Sequence, residues 1–548
     1  MKDKKVSEKS GSAAKSGKPV EKKSAKKMPK YIFVTGGVLS GVGKGITAAS
    51  IGAILKAKGF KVSIQKCDPY LNVDAGLLNP VEHGECFVTA DGKETDLDLG
   101  HYERFLDFET SRYSSVLSGA LYQELIEKER SGGFHGRTVQ MVPHFTDLVQ
   151  EKIAMAGKDS DIHIVEIGGT VGDYEGLSFI EAIRLFANRV GRENCLYVHV
   201  VYVPWINTSK ELKTKPAQNA LKDLRGFGII PDVVVCRTEK PAPRSMCEKI
   251  AAFSGIPGEA VLNLPDIDSV YDVPFNVLKS GVLEILNKFV GDSSEPDMSK
   301  WEEFSRLRGT KWPRTVRVGL VAKYVGNEDA YICVTEALKA AAAWDKVNLE
   351  IVWLNAEEAT DEDFAGVDGL VVPGGFGVRG AEGKIRAATY ALEHDKPYLG
   401  LCLGMQMACV AAARRGGVAK AGSEEFGAGE GENVIYIMEG QKGKESTGGT
   451  MRLGNCPARL SRGSKVAEIY GELDVVERHR HRYEVNQKFL PEIEKGGVVV
   501  AGTSPDGKLV EFVEAPECKF FVGTQAHPEL KSRPLNVHPL FREFVKSL

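Results

Sequence analysis

Nowhere in the 548 residues does an apolar run approach the length of a membrane span, and no short apolar core follows the N-terminus as a secretion signal requires. The ten cysteines form no CxxC pair and no Cys/His cluster at zinc spacing, which predicts a reducing, cytoplasmic setting. No internal repeat is visible. Residues 1–30 contain no arginine, which argues against an organellar transit peptide. They do carry eleven lysines against Asp3, Glu8 and Glu21, a local charge of +8 that leaves −11 for the rest of a chain whose net charge is −3. Rich in Lys, Ser, Gly and Ala and nearly free of large apolar residues, this stretch predicts a disordered, solvated basic tail, not a nucleic-acid site.

What is present is a chain too long for one core, with the apolar and charged fractions of a globular protein, so two or more domains are expected. The first is read over 31–289. Tyr31–Val34 is a short apolar strand. It runs into a glycine-rich turn (Gly36, Gly37, Gly41, Gly43 and Gly45, with Lys44 inside it) and then into a stretch of helical composition. Strand, glycine loop, lysine and helix make a phosphate cradle, because backbone N–H groups and a helix N-terminus face the anion. The fit to a Walker A loop is imperfect: Val38 stands at the first glycine and Gly45 at the Ser/Thr after the lysine, so Ser40 or Thr47 would have to supply a hydroxyl. A plain glycine turn is the competing reading of the loop alone.

Further along, Lys61–Lys66 reads as a second strand. Asp96 and Asp98 are two apart, so an extended backbone would point both carboxylates to one side. Asp161–Gly169 is an apolar strand ending in Glu166 and two glycines. A carboxylate at the C-terminal end of a parallel strand faces the ligand crevice and is a natural Mg²⁺ ligand beside a P-loop. Lys213 and Lys215 lie on one side of an extended segment and could clamp a second polyphosphate.

The polar, turn-rich and then charged stretch 290–314 reads as a linker, and a second α/β domain is expected over 315–548. There GLVV runs into Gly374-Gly375-Phe376-Gly377, a turn whose N–H groups could face an oxyanion. Gly400-x-Cys402-x-Gly404 joins a strand to a helix with cysteine at the apex. That is a nucleophile elbow with sulfur in place of oxygen, or else a buried structural cysteine. A strand near the end delivers His527, with Glu529 two residues on, a base and an orienting acid for Cys402.

GGVLSGVGKG, KCDPYLNVD, HGECFVTADGKETDLDLGHYERF, VEIGGTVGDYEG and KTKPAQ, in that order, resemble the synthetase domain of CTP synthases, whose P-loop is similarly atypical. PGGFG, GLCLGMQ and AHPE resemble class I glutamine amidotransferases, and TGGTMRLG and RHRHRYEVN again resemble CTP synthases. The last run is read as a lid facing glutamine and nucleotide, not as a nucleic-acid patch. The resemblance covers about Tyr31 to Leu548 and implies a fold: a P-loop, Rossmann-like parallel-sheet synthetase domain and an α/β class I glutamine amidotransferase domain.

It also implies a reaction. ATP phosphorylates the 4-oxygen of UTP, ammonia from glutamine displaces phosphate, and CTP forms. Ser40, Gly41, Val42, Gly43, Lys44, Gly45, Lys66 and Asp98 would bind ATP, and Asp98 and Glu166 would hold Mg²⁺. Ser40, Asp173, Glu175, Lys213, Lys215, Gln218 and Lys249 would bind UTP or the inhibitory product CTP. Cys402 would form the thioester, with His527 as base and acid and Glu529 orienting it. Gly375 and Leu403 would supply the oxyanion hole, and Gln406, Glu425 and Arg482 would grip L-glutamine. Activation by GTP and assembly as a homotetramer are implied by the resemblance alone, and neither a nucleic acid nor a membrane partner is expected. Two other readings share parts of the pattern: a ParA-like ATPase switch, which lacks a fused glutaminase, and other P-loop amide ligases such as cobyrinic acid amidases, which lack KTKPAQ and HGECFVTADG.

Overall fold

The computed structural model describes residues 28–427, 432–444 and 448–548; the predicted tail up to Lys27, and Thr447 of TGGTMRLG, lie outside the described residues. Tyr31–Val34 is apolar without alternation because the strand Lys30–Gly37 is covered on both faces. Ile32 and Val34 face the helix Lys44–Ala57 through Ala48, Ile51 and Leu55. Tyr31 and Phe33 face the other way, against Phe179, Ile183 and Phe186 of the helix Leu177–Val190.

Seven parallel strands make this first sheet. Their order is Val261–Pro265, Val233–Thr238, Cys195–Tyr202, Lys30–Gly37, Ile162–Ile167, Val62–Asp68 and Ser115–Leu117. The first strand in sequence therefore sits between the fourth and the fifth. This is a topological switch point, where the loops leaving neighbouring strand ends diverge and open a crevice.

The second sheet has nine strands. Asn348–Asn355, Thr315–Ala322, Gly369–Val372, Tyr398–Leu401 and Phe521–Thr524 run parallel. Val510–Glu514, Val499–Thr503, Arg452–Leu460 and Asp474–His481 continue it antiparallel.

Between the sheets, composition reads a linker and the structure holds a docked helix, Ser299–Gly309. Trp301, Phe304 and Leu307 recur every third residue, and all three are buried. Phe304 stacks on Trp344 of the helix Ile332–Trp344 with ring centroids 6.3 Å apart, so one apolar cluster runs from the first unit into the second.

The histidine–arginine run, expected as a lid, instead belongs to the strand Asp474–His481 and the short strand Tyr483–Val485. Arg478 is fully buried, 3.5 Å from the buried Glu103 and 3.2 Å from Glu109, while Arg480 reaches Glu94 at 2.8 Å. These cations satisfy carboxylates of the first unit. Buried charges need such partners, which is why an arginine-rich run can lie inside a protein.

Candidate active sites

The loop after the first strand lines a cleft of about 380 Å³ at the switch point. Val38, at the position where a glycine is expected, does adopt the left-handed backbone (φ 81°) that glycine would reach without strain. Its side chain packs against the apolar cluster that includes Ala217, Ala220 and Leu221, which offsets that cost. Gly45 is explained by space. A β-carbon there would stand 3.0 Å from Asp98 Oδ1 and 3.2 Å from Glu166 Oε2, so a Ser or Thr would crowd both carboxylates.

Ser40, Gly41, Val42, Gly43, Lys44, Gly45, Lys66, Asp98 and Glu166 all line the cleft. Thr47 does not supply the missing hydroxyl: its Oγ1 donates to Gly43 O at 2.8 Å inside its own helix. Lys44 is buried at the helix start and donates to Gly169 O at 2.9 Å.

Around Lys66 the structure gathers more acids than the motif showed. Its ammonium bonds Asp96 and Asp98 and lies 3.4 Å from Asp68. Asp98 opens the helix Asp98–Leu106, so the two carboxylates converge through a loop-to-helix turn and not through an extended backbone. Burial works against charge on Lys66, but the surrounding carboxylates outweigh it and hold its pKa well above the usual lysine range. Burial, then Asp98, pushes Glu166 up, and Tyr102 donates to it. For Asp98, burial is outweighed by Lys66, and the group stays below the ordinary range.

Among the described residues no cluster of three or more metal-binding side chains occurs. Two carboxylates converging over Gly45, beside a phosphate loop, still suit Mg²⁺. That ion is commonly held by one or two carboxylates together with substrate phosphates.

The residues read for a second polyphosphate do not share this cleft, apart from Ser40. Lys215 is the first residue of the helix Lys215–Gly226, so it does not sit beside Lys213 on an extended segment. Lys213 is paired with Glu211, whose carboxyl also feels Lys249, and these three side chains form one exposed group. Gln218 is nearly buried and bonds Thr214 Oγ1 at 3.3 Å. Asp173 and Glu175 flank the fully displayed Tyr174, on a loop tied to the P-loop strand through Val171 N–H and Gly36 O at 2.8 Å.

The second site is built on Cys402, at φ 51° and ψ −103° between the strand Tyr398–Leu401 and the helix Leu403–Arg415. The flanking glycines are obligatory. A β-carbon on Gly404 would stand 2.0 Å from Val372 O, and one on Gly400 would stand 2.8 Å from the Gly404 carbonyl carbon. Gly404→Ala is expected to destabilise the protein by about 3 kcal/mol, read as a lower thermal midpoint and loss of cysteine-dependent activity. An unchanged midpoint would show that the turn relaxes freely.

His527 Nδ1 lies 2.6 Å from Glu529 Oε1. Burial alone would lower the imidazole, but Glu529 and Cys402 outweigh it and hold its pKa well above the ordinary histidine range. The Gly374–Gly375 turn lies against both: a β-carbon on Gly374 would be 2.8 Å from His527 Cε1 and 3.6 Å from Cys402 Cβ.

Glu425 accepts from Gly377 N–H at 2.7 Å and so braces that turn. Arg482 bonds Gln441 at 2.8 Å and Thr450 at 3.1 Å. Gln406 is buried, with its amide nitrogen donating to Tyr483 O at 3.1 Å and Gln525 Oε1 at 3.2 Å.

Sequence reasoning missed Lys384, which is buried and donates to Pro373 O at 2.8 Å under the same turn. Burial pulls its pKa down to about 7. A lysine within the helical stripe Ala381, Ile385, Ala388 was the available signal.

This cysteine site opens into a cavity of about 370 Å³ whose far wall comes from the first unit, through Gly76, Leu77, Leu78, Pro80, Glu85 and Cys86. Leu78 also lines the P-loop cleft, and the segment 323–331 contributes residues to both linings. The two centres therefore meet across these two segments.

Residues 30–291 match the family described as CTP synthase N-terminus, and residues 328–547 match the class I glutamine amidotransferase family. A CTP synthase of Caldanaerobacter subterraneus subsp. tengcongensis is 49% identical over 95% of this chain and 98% of its own length. The chain belongs to the CTP synthase family. CTP synthases of Carboxydothermus hydrogenoformans (49% identical, 94% of this chain and 98% of that one) and Nostoc punctiforme (47%, 95% and 97%) agree over the same span. Such coverage of both halves sets aside the ParA-like switch, which lacks a glutaminase, and does not favour the other amide ligases. No helix among the described residues is long and apolar enough to cross a membrane.

Proposed function

We propose that this CTP synthase family chain aminates UTP to CTP with ATP, taking nitrogen from glutamine, through a 4-phosphoryl-UTP intermediate. The observation that carries the reading is the cavity shared between halves: the Cys402 centre and the P-loop cleft lie on either side of the segment 76–86. The units are taken as 31–289 and 315–548, joined by 290–314.

In the second unit Cys402 attacks the glutamine amide carbonyl. His527, held by Glu529, takes the thiol proton and returns it to the departing nitrogen. The N–H groups of Gly375 and Leu403 would face the oxyanion. Glu425 and Arg482 would hold the amino-acid end of glutamine, with Gln406 acting from behind.

In the first unit Ser40–Gly45 and Lys66 would cradle the ATP phosphates. Asp98 and Glu166 would hold Mg²⁺, which when bound neutralises charge on the phosphates. Lys213, Lys215, Gln218 and Lys249 would take the UTP triphosphate, and Asp173 and Glu175 the pyrimidine side, where CTP also inhibits.

A homotetramer is supported by the exposed apolar side chains Ile126, Met141, Val142, Met155 and Tyr174, which lie on the same unit as the UTP residues. GTP as activator rests on family membership. A cytoplasmic setting is supported by ten free cysteines.

The test is the change in UTP absorbance on adding ATP and glutamine together. No change in the presence of both would sink the reading. Deleting 1–29 is expected to leave the rate and the UTP half-saturation unchanged, since no motif residue lies there. A large rise in half-saturation that vanishes at higher salt would instead show that the basic tail gathers nucleotides.

A further inference from the structure

The sulfur of Cys402 is in contact with a buried amide. Gln525 follows the strand Phe521–Thr524, and its Nε2 lies 3.6 Å from Cys402 Sγ. The backbone around it is pinned on both sides. The N–H of Gln525 donates to Glu511 O at 2.8 Å, and the N–H of His527 donates to Arg478 O at 2.7 Å. Cys402 is tied to the same strand through its own N–H and Thr524 O, at 2.7 Å. Sulfur and amide are therefore held in one frame.

Which end of the amide meets the sulfur is set by a neighbour. Gln406 lies one turn into the helix Leu403–Arg415, where its N–H donates to Cys402 O at 3.2 Å. Its side-chain nitrogen donates to Tyr483 O at 3.1 Å, and a main-chain carbonyl can only accept. The same nitrogen stands 3.2 Å from Gln525 Oε1. Turning the Gln525 amide over would set two buried NH₂ groups against each other and forfeit that hydrogen bond. The oxygen of Gln525 thus faces Gln406, and its NH₂ group faces the sulfur.

Sulfur has a second contact, with Arg480 O at 3.8 Å. A carbonyl oxygen accepts from a thiol and repels a thiolate, whereas an amide N–H is drawn more strongly to the thiolate. The two contacts therefore suit opposite protonation states. The charged groups around the sulfur are His527 with Glu529 behind it, Lys384 from the helix Ala381–His394, and Arg480 from the strand Asp474–His481. Burial lowers the His527 imidazole, but Glu529 and then Cys402 outweigh it, so an imidazolium is favoured beside an ionised sulfur.

We infer that Gln525 is a further catalytic residue of this centre: its amide N–H donates to the Cys402 sulfur and favours the thiolate that attacks glutamine. The inference rests on the glutamine reading above. The step balances as a thiol and an imidazole giving a thiolate and an imidazolium. One S–H bond breaks, one N–H bond forms on His527, and the sulfur keeps the electron pair that then forms the thioester. Gln525 itself exchanges no proton. It stabilises the product of that transfer, because a hydrogen bond made to the charged form of a group favours that form.

Gln525→Met keeps the length of the side chain and removes the donor. Gln525→Glu keeps the shape and turns a carboxylate oxygen toward the sulfur. Alkylation of Cys402 by iodoacetamide is followed in the full chain without substrates, from about pH 5 to about pH 10, with the modified peptide identified by mass. The pH midpoint should rise by about one unit in Gln525→Met, and further in Gln525→Glu, where like charges add to the lost donor. Near neutrality, kcat for glutamine hydrolysis in Gln525→Met should fall about tenfold and recover toward the parent value at the alkaline end, while KM stays within about twofold. Synthesis from ammonium chloride should stay within about twofold of the parent in both variants, which shows that they fold. An unmoved midpoint in a folded Gln525→Met overturns the inference, as does a loss of rate that is equal at every pH, which marks packing alone. If Gln525→Met loses ammonium-driven synthesis, Gln525→Glu decides: an unmoved midpoint in that variant also overturns it. If the parent chain hydrolyses no glutamine, the underlying reading has failed, and the alkylation midpoints still judge the role of Gln525.

Discussion

Replacing Cys402 with alanine is expected to abolish glutamine-driven CTP formation by at least about a thousandfold, while formation driven by ammonium chloride stays within about twofold. The thiol sits at the apex of a turn held open by Gly400 and Gly404, with the imidazole of His527 beside it and Glu529 behind. Removing the sulfur leaves His527 with no nucleophile to activate, because the attacking atom belongs to the Cys402 side chain itself. The phosphoryl chemistry is assigned to another sheet, whose cleft adjoins this cavity along the segments 76–86 and 323–331. Alanine is smaller than cysteine, so the elbow should fold unchanged. Equal loss of both activities in a folded variant would refute two separate centres.

Lys44→Ala and Glu166→Ala should give the opposite pattern, lowering synthesis from either nitrogen source by about a hundredfold or more. Lys44 is buried at the helix start with its ammonium at Gly169 O, at the mouth of the loop, where a phosphate would meet it. Glu166 and Asp98 converge over Gly45, and Glu166 also accepts from Tyr102. Loss of either charge impairs handling of the ATP phosphates, and supplied ammonia cannot restore a phosphoryl transfer that has not taken place. Glutamine hydrolysis measured alone should persist in both variants, which separates this failure from misfolding. A variant that still makes CTP from ammonia at near-parental rate would remove that residue from the phosphoryl site.

The two loops were legible in the sequence because each demands a backbone that few residues allow. Gly43 at φ 92° and the closely packed Gly404 leave a signature in residue type, and the helices after them leave one in composition. The His527–Glu529 pair was legible for the same reason: two residues apart on one chain, they need no distant partner to meet. What the tertiary structure decided is which charges share the interior. Lys66 meets Asp96 and Asp98 only because a strand and a loop-to-helix turn from different parts of the chain pack together. Lys384 sits under the Gly374–Gly375 turn only because its helix lays an apolar face there. Arg478 read as part of a lid facing glutamine and nucleotide, yet it is buried against Glu103, which lies far from it in the chain. Residue type and local spacing encode backbone geometry, whereas the partner of a buried charge is set by how separate elements dock, and no periodicity along the chain records that.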